Sequence, residues 1–216
     1  TGRISHDINE IFKDTYDFSD NWNLIKNTLQ KSSLANGREH VLDLLLGQIK
    51  DEGSNNEGEV GHRRWLLYPY LKSISVGFYP LSYHAMPGYK LQYPPSAVFG
   101  LNYGTYSISE YTNNNYTAWP PAGPFPIELL PTSWSVYYNK FQKSDVTVND
   151  IVVKLTRDDG QVLECSRIDL SQSMSGLPGT LVFKLTDRSF QSVLAGHSVH
   201  VQVYLLTDSE RKVLDY

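Results

Sequence analysis

From Asp145 onward the chain repeats one pattern, in which short runs of alternating apolar and polar residues are broken by turn residues. DVTVNDIVVKLTRDDGQVLECSRI (145–168) sets Asp159-Gly160 between two such runs. Strand side chains alternate between faces, and a tight reversal needs residues that tolerate positive φ, so this stretch predicts a β-hairpin. GTLVFKLTD and HSVHVQVYLL continue the pattern. In the second of these, Val199, Val201, Val203 and Leu205 share one face, and His200, Gln202 and Tyr204 share the other. Short strands with frequent turns predict a small β-sandwich.

Upstream the character differs, and the change falls in AWPPAGPFPIELLP (118–131), where five prolines cluster. The first 50 residues read as helical and irregular. REHVLDLLLGQIKDEG carries Val41, Leu42, Leu45, Leu46 and Ile49 at helical spacing, with Asn36 as a plausible N-cap and Gly53 as a stop. GHRRWLL predicts a short helix that Pro69 ends, because a residue before proline avoids helical geometry. KSISVGFYP and SAVFGLN read as strands, and the Tyr/Pro/Gly stretch from Pro80 to Pro95 reads as a loop.

The 216 residues carry a net charge of -4 without a Lys/Arg run, which argues against nucleic acid or an anionic membrane as partner. No apolar run approaches the ~20 residues of a membrane-spanning helix. Cys165 is the single cysteine, so neither an intrachain disulfide nor a Cys-rich zinc site is expected. Fifteen tyrosines, many beside proline or glycine, suit half-wet grooves. The chain begins at Thr1 without a leader, and a processed or trimmed form is expected.

Among candidate sites, the HxxH of His197 and His200 lies on a predicted strand, which sends the two rings to opposite faces. DEGSNNEGE lacks the ligand order of an EF-hand and reads as a solvated loop. GHRRWLLYP (61–69) is the unusual stretch. Gly61 permits close backbone approach next to His62, while Arg63 and Arg64 keep their charge and need acids or solvent. Asp51, Glu52, Glu57 and Glu59 are near in sequence. Trp65, Leu66 and Leu67 are expected to anchor the helix in a core.

GHRRWLLYP, followed by ISVGF, AWPPAGPFPIELLP and then a β region, resembles secreted bacterial members of the CAP superfamily (cysteine-rich secretory proteins, antigen 5 and pathogenesis-related 1; also SCP-like). The resemblance implies an α+β chain: a CAP-type α-β-α sandwich over 1–119 that lacks its N-terminal helix, then a small immunoglobulin-like β-sandwich over 120–216 packed on it. It implies a cleft with two histidines and two acids. These positions fall on His6 (in SHD, 5–7), on His62, and on Asp51 or Glu52 in IKDEG, with Arg63, Arg64 and Trp65 supporting the cleft. The remaining family acid falls on SSLAN (32–36), which has no carboxylate. A missing N-terminal helix also implies an uncovered apolar groove.

The resemblance implies an extracellular or cell-surface protein. Two imidazoles and a carboxylate suit zinc, so the leading expectation is a cleft that binds a metal or small ligand without assigned catalysis. A zinc-dependent hydrolase of peptides or cell-wall material is one alternative. The other is an adhesion or glycan-binding module that meets a cell-surface component through its tyrosine-rich loops.

Overall fold

Strands dominate the described residues, which do not form the expected α-β-α sandwich. The computed structural model describes residues 22–30, 32–52, 56–79, 82–86, 89–93, 96–103, 116–142, 145–172, 176–186, 190–206 and 211–216. The chain groups into two units, each discontinuous in sequence: 1–49 with 70–105, and 50–69 with 106–216. The sequence reading divides the chain at 119/120 instead. No helix among the described residues is long and apolar enough to cross a membrane.

The described part of the first unit holds helix α1 (Trp22–Gln30), strand β1 (Ser32–Asn36), helix α2 (Val41–Lys50, whose last residue belongs to the second unit) and strand β2 (Leu71–Tyr79). Strands β3 (Ser82–Met86), β4 (Tyr89–Tyr93) and β5 (Ser96–Tyr103) follow. β1, β5 and β2 form an antiparallel sheet in that order, with Leu34 opposite Val98 and Val76 opposite Phe99. Asn36 closes β1 opposite Ser96 rather than capping a helix. β3 and β4 pair as a hairpin where a loop was expected. Every proline of 80–95 falls outside these two strands, so none removes a donor from the ladder.

Helix α2 turns a different face inward from the one its leucines predict. Leu44 and Gln48 are buried, Val41 and Leu45 pack alongside, and Leu42 is 68% exposed. Five apolar residues in the six positions 41–46 leave the rotation open. Gln48 closes the choice: its Oε1 accepts from Ser33 and its Nε2 donates to Leu34 O at 3.1 Å. A buried amide is tolerated only with its bonds made. The small core contains Ala35, Leu44, Ala97 and Phe99. On the same sheet face β2 adds Ile74, Val76 and Phe78, each more than a third exposed.

The second unit contains helix α3 (Gly61–Leu66) and strands β6 (Tyr116–Trp119), β7 (Ser133–Tyr138), β8 (Ile151–Arg157), β9 (Val162–Leu163) and β10 (Cys165–Ser171). Strand β11 (Thr180–Leu185), helix α4 (Phe190–Leu194), and strands β12 (Val199–Leu205) and β13 (Arg211–Asp215) complete it. Two four-stranded antiparallel sheets, ordered β10-β11-β7-β6 and β13-β12-β8-β9, share one core. Trp134, Val136, Leu181 and Phe183 enter it from the first sheet, and Leu155, Val201 and Val203 from the second. The Asp159-Gly160 hairpin forms as read, with Gly160 at φ +87° and Gly160 N donating to Arg157 O at 2.9 Å. Cys165 is half-buried, and burial pushes its thiol up to about 11.

Gly179 is tied to the core by close approach. It has φ +76°, and a Cβ there would lie 2.8 Å from Gln142 N. Gly160 has a similar φ and open space around it. Gly160→Ala is expected to lose about 1 kcal/mol from strain alone. Gly179→Ala is expected to lose at least about 1 kcal/mol more from the added clash. Urea midpoints of the two variants check this, and equal losses would remove the close-approach account.

Candidate functional site

All six side chains of β7 are buried, although a strand alternates faces. Trp134, Val136 and Tyr138 face the shared core. Ser133, Ser135 and Tyr137 therefore face the other way, and Arg63 of α3 meets the two serines there. Arg63 Nη1 donates to Ser133 O at 2.8 Å and to Ser135 Oγ at 3.1 Å, and its Nη2 donates to Lys50 O. Arg64 Nη1 donates to Ser171 Oγ and, at 3.4 Å, to Glu59 O. Arg63 and Arg64 are 0% and 2% exposed, the two largest fully enclosed side chains described. Gly176 leaves no room above them: a Cβ there would lie 2.9 Å from Arg64 Cβ.

The arginines are thus the anchors that Trp65, Leu66 and Leu67 were expected to be. Leu66 is buried, whereas Trp65 is half-buried, its ring tilted against Tyr68 at 6.3 Å. Burial pushes Arg63 down to about 10, opposed by the charges of Asp51 and then Glu52, so it stays cationic at neutral pH. Burial lowers Arg64 too, against Glu59 and Asp51. Glu57, one of the acids expected near the arginines, accepts from Lys184 Nζ and from Thr132 Oγ1 at 3.2 Å.

Beside this anchor sits an aspartate–histidine pair. Asp51 follows α2 with φ +51° and is 3% exposed. Its Oδ1 lies 2.8 Å from His62 Nδ1, and its Oδ2 accepts Arg63 N at 3.2 Å. Val60, fully buried just before α3, has φ +43° and ψ +47°. A β-branched residue in the left-handed region stores strain that the surrounding packing must hold. Asn56 Nδ2 lies 2.7 Å from the same His62 Nδ1. One ring nitrogen cannot donate to Asp51 and accept from Asn56 together. The charged acceptor wins, which assigns the proton to Nδ1 and suits Asn56 with its amide oxygen turned to the ring. In the neutral ring, Nε2 is then the nitrogen with a lone pair, on a side chain 34% exposed.

Of the residues singled out in the sequence, the fold brings Asp51 and His62 together. Glu52 is exposed and takes Thr132 N at 3.4 Å. His6 lies outside the described residues. His197 and His200 have separate carboxylate partners, Asp158 and Asp215. No group of three or more His, Cys, Asp or Glu that could hold a metal occurs among the described residues. At the Asp51–His62 pair the described side chains leave one ring nitrogen, His62 Nε2, open to a ligand. Sequence reasoning missed Asn56, Ser135 and Ser171. The one signal was SWSVYY, whose serines alternate with core residues and mark a polar strand face. No family model, curated protein or solved structure matches the chain.

Arg63→Ala removes donors from buried carbonyls and is expected to cost about 3 kcal/mol, with Arg64→Ala close behind. Lys72→Ala, on exposed β2, is expected to stay within about 0.5 kcal/mol. Urea denaturation measures all three, and equal midpoints would remove the anchoring role.

Glu57 is held below its ordinary value of 4.5, first by the Lys184 hydrogen bond and then by the Lys184 charge, Thr132 and Ser133, with burial opposing. A folded value below the unfolded one gives stability that is complete above about pH 4.5 and is lost as pH falls through the lowered value. The stability gap between the wild type and Glu57→Gln should therefore shrink between neutral pH and pH ~3. A gap independent of pH would show that the pair does not act through charge.

Proposed function

We propose that this chain is a binding protein whose ligand engages His62 Nε2, with Asp51 orienting the ring. The observation that supports it is the near-complete burial of Asp51 behind a histidine that stays one-third exposed. A carboxylate on Nδ1 fixes the tautomer and leaves the opposite nitrogen as the acceptor. The two positive-φ residues, Asp51 and Val60, support a pre-organised site, since strained backbone concentrates where function needs a held geometry. The ligand this arrangement suits is a small molecule that presents a hydroxyl or N–H hydrogen to the ring. With no nucleophile hydrogen-bonded to His62 among the described contacts, binding is favoured over turnover.

Calorimetric titration at pH 7.5 tests the reading, with a soluble chito-oligosaccharide and zinc chloride as separate titrants. The expected result is saturable binding of the sugar that His62→Ala abolishes and Asp51→Asn weakens about 10-fold or more. Zinc binding lost in His62→Ala would reassign the nitrogen to a metal. Binding unchanged by His62→Ala would overturn the site. Nitrogen NMR of His62 adds an independent check, because the proton should sit on Nδ1 in the wild type and redistribute in Asp51→Asn.

A further inference from the structure

The second unit also contains a cavity of about 560 Å³, lined chiefly by two segments, 120–125 and 194–199. This volume lies within the range of roughly 300–1,000 Å³ common to small-molecule sites. Its apolar lining is only partly covered: Pro121 and Pro124 are exposed, and Phe125, Ile127 and Val199 are half-buried. Behind them, Leu130, Leu194 and Val201 belong to the core. The described lining holds no Lys, Arg, Asp or Glu, so a charge carried into the cavity would find no ion partner there.

Both segments are held by bonds made outside the cavity. Three prolines restrict 120–124, Phe125 lies edge-on to Trp119 at 5.1 Å, and Leu129 N donates to Pro126 O at 3.0 Å where the chain continues. The other segment is clamped by the β8–β9 turn. Arg157 Nη1 donates to Val193 O at 2.9 Å, Ser198 N donates to Asp158 Oδ2 at 3.2 Å, and His197 Nδ1 lies 2.7 Å from Asp158 Oδ1. Each segment contains a glycine at positive φ, Gly123 at +101° and Gly196 at +78°, and neither adds a side chain to the space. A concavity with walls fixed in this way does not need a ligand to form, and small-molecule sites are largely pre-formed.

We propose that this cavity is a second binding site, separate from His62, for a small, neutral, apolar molecule. Its carbons cover the partly open faces of Pro121, Pro124, Phe125, Ile127 and Val199, and the apolar surface removed from water supplies the affinity. Neutrality follows from a lining without a side chain of opposite charge to receive an ion. Other features carry less. The exposed row Ile74, Val76 and Phe78 has nothing that indicates what covers it, and it serves below as the control surface.

The test uses the full chain at neutral pH and two fluorescent dyes that share one ring system. N-phenyl-1-naphthylamine is neutral, and 8-anilinonaphthalene-1-sulfonate adds a sulfonate. Saturable binding of one neutral dye per chain is expected, with the sulfonate at least about 5-fold weaker. Methyl NMR during the titration should move Ile127, Leu130 and Val199 and leave Leu44 and Val76 in place. Ala122→Trp and Ala195→Trp place bulk at exposed lining positions, one on each segment, and each should weaken binding about 10-fold or more. Val76→Lys should leave binding unchanged. Binding that survives both tryptophan variants, is lost in Val76→Lys, or never saturates would overturn the proposal, as would methyl shifts confined to the first unit. Equal affinity for the two dyes in the wild type would overturn the assignment of a neutral ligand.

Discussion

The second unit depends on one enclosed cation. Arg63 reaches β7 through Ser133 and Ser135 and reaches the end of α2 through Lys50 O. A guanidinium out of water is tolerable only when its hydrogens are taken up, and its planar fork lets one side chain tie several backbone positions at once. With Arg63 placed, α3 is tied to a strand whose other face belongs to the core. Arg64 extends the anchor to Ser171, and Gly176 closes over it.

The Asp51–His62 pair follows from that anchor. Asp51 receives Arg63 N on one oxygen and meets His62 Nδ1 with the other, so the element that buries the arginine also aims the imidazole. The positive φ of Asp51 and Val60 lets the chain leave α2 and enter α3 within this short loop. Strain of that kind persists only where neighbouring bonds over-determine the backbone. β7 serves the unit twice: its serines hold the arginine, and Trp134, between them, enters the shared core.

Elements with one strong local signal were legible. Alternation with Asp159-Gly160 marked the β8–β9 hairpin, and the paired valines marked β12. Pro69 marked the end of the GHRRWLL helix. Elements whose local signal was ambiguous were misread. In α2 the leucines outnumbered any single face, and the decision fell to Gln48 through its bonds to Ser33 and Leu34. Between Pro80 and Pro95 proline density masked two strands that avoid the prolines. The motif resemblance implied helices packed around a sheet, but motifs report local spacing, and the layers that form here are sheets.

The sequence by itself determined that Arg63 and Arg64 must find partners, that His62 stands beside flexible backbone, and that the last third of the chain is strands. Local chemistry suffices for each of these, since charge, φ preference and side-chain period belong to a residue and its near neighbours. Only the tertiary structure decided that the arginines turn to Ser133, Ser135 and Ser171, 70 to 107 residues away, and that Asp51 rather than Glu52 meets His62. Those outcomes compare the burial of a group with the bonds available where it is buried, and that comparison does not exist until distant strands have met.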